Sequence, residues 1–162
     1  MAFYVILRTF FVDITVIQNS MHPTVKEGER VLILKHSPIR WLRRNQVIIL
    51  QPESWMSRKH HNPSRKDFLQ LKRLVGLPGD RILIDFNKVE KEAKEIFSQN
   101  IEIDSKGKTF FVVPPGHVFV KGDNPAESYD SFSYGPIPFS RLHGIAIIKL
   151  PSRHTSHSQP VN

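Results

Sequence analysis

Seven strand-length runs of β-branched and aromatic residues, recurring between turn sequences, limit this chain to a mainly β architecture. The runs are Thr15-Val16-Ile17, Val31-Leu32-Ile33-Leu34, Val47-Ile48-Ile49-Leu50, Arg81-Ile82-Leu83-Ile84, Phe110-Phe111-Val112-Val113, His117-Val118-Phe119-Val120 and Ile145-Ala146-Ile147-Ile148. Between them stand Glu27-Gly28, Gln51-Pro52, Pro78-Gly79-Asp80, Pro114-Pro115-Gly116 and Gly122-Asp123-Asn124-Pro125. Pro presets φ, Gly accepts positive φ, and Asp and Asn bond their own backbone, so each of these ends a strand. The pattern predicts a folded antiparallel sheet or a partly open β-barrel. With 12 Pro and 8 Gly and no long Ala/Leu/Glu/Lys stretch, a helical bundle is disfavoured, and 11 Phe supply bulk for a core. At 162 residues, one domain is expected.

Along the chain, residues 1–12 read as an apolar membrane-proximal segment; Arg8 and then Asp13 interrupt it too early for a spanning helix. No basic leader precedes the apolar run and no small-residue cleavage site follows it, so a removable secretion signal is not expected. Residues 13–150 read as the main β-domain, containing a basic loop at 51–66 and an insertion at 86–109. The loop carries Arg58-Lys59-His60-His61 and Arg65-Lys66. The insertion holds one expected helix over 87–98, where Val89, Ala93, Ile96 and Phe97 share a face and Glu90/Lys94 and Lys91/Glu95 are spaced as i,i+4 pairs. The polar, Ser/His-rich tail at 151–162 reads as disordered.

Zero cysteines exclude disulfide scaffolds, Cys-ligated zinc, iron–sulfur clusters and thiol nucleophiles. There is no G-x-S-x-G elbow, H-E-x-x-H, Walker loop or G-x-G-x-x-G, and no metal or cofactor is expected. The S-x-x-K pattern occurs once, at Ser105-Lys106-Gly107-Lys108, but Gly107 in a polar stretch makes it a hairpin tip rather than one turn of a catalytic helix. A net charge of +8 permits an anionic partner.

Three stretches remain. Gln18-Asn19-Ser20-Met21-His22-Pro23-Thr24 follows a strand, Leu71-Lys72-Arg73-Leu74-Val75-Gly76-Leu77-Pro78-Gly79-Asp80 spans a strand and its turn, and Gly122-Asp123-Asn124 leads into Ser128-Tyr129-Asp130-Ser131. Taken singly, each has a plain reading: a turn hydroxyl, a solvated strand lysine, and a loop whose Asn and Ser bond their own backbone. In order, they resemble the type I signal peptidase family of membrane-associated serine endopeptidases, which includes the mitochondrial inner-membrane peptidases. Ser20-Met21-x-Pro23-Thr24 is similar to the nucleophile box, Lys72-Arg73-x-x-Gly76-x-Pro78-Gly79-Asp80 to the lysine box, and Gly122-Asp123-Asn124 with Ser128-x-Asp130-Ser131 to the last box. Val113-Pro114-Pro115-Gly116-His117-x-Phe119 resembles the strand before it.

The resemblance implies a signal-peptidase-type β-fold and a Ser/Lys dyad, with Ser20 as nucleophile and Lys72 as base. It further implies that Ser128 orients Lys72, that Asp130 supports the loop carrying Ser128, and that the Ser20 N–H is one oxyanion donor. Gln18 stands where many bacterial members have a serine as second donor, so its amide would have to point into the oxyanion hole. Phe132 stands where many have an arginine, so Asp130 must find another partner, such as a backbone N–H. The residue chemistry agrees: a serine hydroxyl needs a base, and lysine serves only when neutral, which an apolar setting from Leu71, Leu74 and Val75 favours.

The partners implied are a precursor protein or signal peptide cut after small residues, membrane lipid, and a membrane-anchored partner subunit, with no nucleic acid. The implied location is a membrane, with the active site on the extracytoplasmic or intermembrane-space side. Two other readings stay open: a noncatalytic basic β-module binding nucleic acid or anionic lipid, and a self-cleaving Ser/Lys regulator.

Overall fold

A computed structural model describes residues 9–51, 69–89 and 91–150. Ten strands follow in chain order: β1 (Phe11–Thr15), β2 (Arg30–Lys35), β3 (Val47–Leu50), β4 (Gln70–Gly76), β5 (Arg81–Leu83), β6 (Ile101–Ile103), β7 (Thr109–Val112), β8 (His117–Lys121), β9 (Ile137–Pro138) and β10 (Leu142–Leu150). The described residues also include two short helices, α1 (Lys94–Ser98) and α2 (Ser131–Tyr134), and several 3-10 turns. Seven strands form one sheet in the order β1-β2-β10-β3-β4-β8-β9, and three form a second in the order β5-β7-β6. The pairs are antiparallel, so the mainly β expectation holds.

Three apolar clusters hold these layers. One face of the large sheet gathers Ile48, Leu50, Leu74, Val118, Val120 and Tyr134; another cluster joins Val16, Met21, Val31, Ile33, Ile49 and Leu71. The third packs Ile84, Val89, Ala93, Phe97, Phe111, Val113 and Phe119 between the small sheet and the large one. There Phe97 meets Phe111 edge-on at 4.8 Å between ring centres, a favoured aromatic geometry.

Local differences from the sequence expectations have physical reasons. β1 begins at Phe11, inside the segment read as membrane-proximal, and ends at Thr15; Val16 is buried and the chain then leaves for Ser20 with Ile17 exposed. The helix expected over 87–98 is broken into 3-10 turns at Phe86–Lys88 and Lys91–Ala93 before α1. Val89 is extended at the break, with its side chain buried among Ile84, Ala93 and Phe97, so burial of a β-branched residue outweighs helix continuity. Ser105–Lys108 is the tip between β6 and β7: the Asp104 carboxylate accepts from the Lys106 and Lys108 N–H groups, and Gly107 takes φ 75°. The basic stretch from 52 to 66 and the tail from 151 lie outside the described residues.

Candidate active site

Strand alternation decides where Lys72 points. In β4, Ile48 lies directly across from Lys72 and Leu50 across from Gln70, so these four side chains share one face with Leu74. Leu71 and Val75 take the opposite face, in other clusters, so the apolar surroundings of Lys72 come from Leu74 and its cross-strand neighbours rather than from its sequence neighbours. Lys72 is 2% exposed. Burial pushes its ammonium down to about 8, while the Asp130 carboxylate pulls the other way.

The lysine Nζ donates to Ser128 Oγ at 3.1 Å, and that hydroxyl donates to Asp130 Oδ2 at 2.8 Å. Asp130 is buried and starts α2: Oδ2 also accepts the Gly122 N–H at 2.9 Å, and Oδ1 accepts the Phe132 N–H at 3.1 Å. Two backbone donors and a hydroxyl thus satisfy a carboxylate that an arginine at position 132 would otherwise have faced. The Phe132 ring instead packs edge-on against Phe119 at 5.0 Å.

Gly122 is where the last box must have no side chain. A Cβ there would collide with Ser128 and come within 2.7 Å of the Ser20 carbonyl oxygen. The close approach lets this box hold the serine turn directly: Asn124 donates its N–H to Ser20 O at 3.0 Å and its amide Nδ2 to Asn19 O at 3.2 Å. A second tie crosses all three boxes. Arg73 Nε donates to Asp123 Oδ1 at 2.7 Å, a second guanidinium nitrogen and the Thr24 hydroxyl both bond Asp123 Oδ2, and Arg73 also bonds Asn45 O at 2.6 Å. Hydrogen bonding from Arg73 holds the Asp123 carboxyl below its ordinary range. Sequence reading quoted Thr24, Arg73, Asp123 and Asn124 without giving them a role; the signal was their recurrence inside the three boxes.

Ser20, buried, and Lys72 line one cavity of about 430 Å³ together with Gln18, Gln70 and Ser128. Asp130 stands behind Ser128. A smaller groove of about 50 Å³ shares Ile17, Gln18 and Ser20 with it and is otherwise walled by Ile14, Thr15, Val16, Met21, Leu69 and Leu71. A buried serine and a buried lysine of lowered pKa on one cavity can do nucleophilic chemistry with the lysine as base. Sequence alternation missed Gln70, a polar residue buried on an apolar strand face.

A family model described as "Signal peptidase, peptidase S26" matches residues 1–150. The chain belongs to this signal peptidase family. It is 29% identical over 146 residues to a "Probable signal peptidase I-2" of Synechocystis sp., covering 88% of this chain and 65% of that protein. Identity to "Signal peptidase I U" of Bacillus subtilis is 30% over 141 residues, 79% of this chain and 68% of that one. "Mitochondrial inner membrane protease subunit 1" of Schizosaccharomyces pombe is 27% identical over 133 residues, 81% of this chain and 68% of that one. The chain therefore spans about two thirds of these relatives' lengths. Among the described residues, no helix is long and apolar enough to cross a membrane.

Proposed function

We propose that the chain is a membrane-associated serine endopeptidase that removes signal-like or precursor segments through an acyl-enzyme formed by Ser20 and Lys72. The observation that carries this reading is a buried lysine, lowered to about 8, on the same cavity as Ser20. Neutral Lys72 takes the Ser20 proton as Oγ attacks the scissile carbonyl, and the Ser20 N–H with the Gln18 amide receives the developing oxyanion. The lysine proton passes to the leaving amine, and a water deprotonated by the same lysine then hydrolyses the serine ester. Ser128 holds the amine in line, and Asp130 fixes Ser128.

An extended substrate laid between residues 14–18 and 69–71 puts the side chain before the cut into the apolar groove of about 50 Å³, which suits a small residue. Residues 13–150 form the catalytic unit, with 86–109 as an insertion that contributes β6 to the second sheet. Phe10, Val12 and Ile17 are exposed apolar residues near the groove and fit contact with lipid on the extracytoplasmic or intermembrane-space side. A membrane-anchored partner subunit is in keeping with the mitochondrial relative, whose name calls it a subunit.

Mass spectrometry of candidate precursors incubated with the detergent-purified protein tests this reading. Native protein is expected to release a defined fragment that Ser20→Ala does not. The same fragment from Ser20→Ala, or none from native protein, would overturn it.

A further inference from the structure

The wall of the larger cavity contains a polar group with nothing to bond. Gln70 is 5% exposed, lines the cavity beside Ser20 and Lys72, and its carboxamide Oε1 is shielded from solvent without a hydrogen-bond partner. A buried acceptor left unpaired is costly, so its retention on an apolar strand face calls for a donor that arrives from elsewhere. In this structure Oε1 is turned away from the open space; the terminal torsion of Gln is broad and roughly two-fold, so a half-turn that exchanges Oε1 with Nε2 brings the oxygen to the cavity without disturbing β4.

The geometry of β4 says which part of a substrate meets this group. Leu69 and Leu71 face the small apolar groove, whereas Gln70 and Lys72 line the larger cavity with Gln18, Asn19 and Glu27. Side chains of an extended peptide alternate in the same way. If the residue immediately before the cut enters the apolar groove, the residue one step further upstream faces Gln70.

We propose that Gln70 is a specificity-determining residue that selects a hydrogen-bond-donating side chain at the second position before the scissile bond. This rests on the proposed peptidase reading and adds the substrate class. The larger cavity then reads chemistry while the small groove reads size. An isosteric apolar side chain at that second position fills the same space but leaves the Gln70 oxygen unpaired, and sites built to bond a donor discriminate against the analogue that lacks it.

The test uses the full chain in detergent and fluorogenic peptides that carry an apolar segment and Ala immediately before the cut. The residue before that Ala is Thr or Val in one pair and Asn or Leu in a second. Native protein is expected to favour Thr over Val, and Asn over Leu, by about tenfold in kcat/KM, the scale of one hydrogen bond. In Gln70→Leu and Gln70→Met both ratios should fall to about 1, on the scale of one lost hydrogen bond. Equal cleavage of the paired peptides by native protein, or ratios unchanged in both variants, would overturn the proposal while leaving the peptidase reading intact. Absence of cleavage of all four peptides by native protein would overturn both.

Discussion

Replacing Lys72 with Met removes the ionisable amine and keeps the bulk of the stem, so activity and stability should move in opposite directions. The interval between the ordinary lysine value of 10.5 and about 8 corresponds, at 1.36 kcal/mol per tenfold in proton affinity, to about 3 kcal/mol. The sign follows from proton counting. Between pH 8 and 10.5 the unfolded chain binds more protons at this residue than the folded one, so stability rises with pH across that window. Below pH 8 both forms are protonated and the full cost is carried; above 10.5 neither is, and the cost is gone. At pH 7, Lys72→Met should therefore be inactive yet more stable by roughly 2–3 kcal/mol, the lower figure allowing for the hydrogen bond lost at Ser128. By pH 10.5 the difference from native protein should shrink below about 0.5 kcal/mol. Urea unfolding of both proteins at the two pH values measures it, and comparing them at each pH cancels the titration of other groups. A variant less stable than native at pH 7, or a gain that persists at pH 10.5, would refute burial of a charged lysine.

Gly122→Ala drives a Cβ into Ser128 and toward the Ser20 carbonyl, and should lower kcat by about 100-fold through misplacement of the dyad, with about 1–3 kcal/mol lost in denaturant titration. Arg73→Met leaves the partly buried Asp123 without its guanidinium, so the variant should be less stable than native protein at pH 7, and urea unfolding should show that deficit shrinking as pH falls below 3.8, where native Asp123 is itself being protonated and loses the benefit of its lowered pKa. Ser105→Ala, at the exposed tip between β6 and β7, should leave both peptide cleavage and stability unchanged; a loss of cleavage would make that S-x-x-K pattern the site.

The residues of the candidate site were legible because they sit in short boxes whose order along the chain is distinctive. What the boxes do to one another was not. The bond between Lys72 and Ser128, 56 residues apart, and the contact of Asn124 with Ser20 depend on the pairing of β4 with β8 and on the missing side chain at Gly122. Strand identity was readable where β-branched runs reach the core, as in β2 and β3. It failed for β6, whose three residues are all exposed, and for β9, two residues ending in Pro138. The surroundings of Lys72 were misread for the same reason: chain neighbours Leu71 and Val75 lie on the far face of the strand, and Ile48 comes from another strand. Asp130 was expected to need a substitute for arginine, and the backbone N–H groups of Gly122 and Phe132 supply it together with the Ser128 hydroxyl.

The most direct test of a Ser20/Lys72 peptidase is the pH dependence of kcat/KM for a cleavable precursor peptide, measured for native protein and for Lys72→Met. A free lysine base lowered to about 8 predicts a rate that rises through a single ionisation near pH 8 in native protein and is absent at every pH in the variant. A profile that turns on near pH 6.5, the ordinary histidine value, and survives Lys72→Met would contradict it.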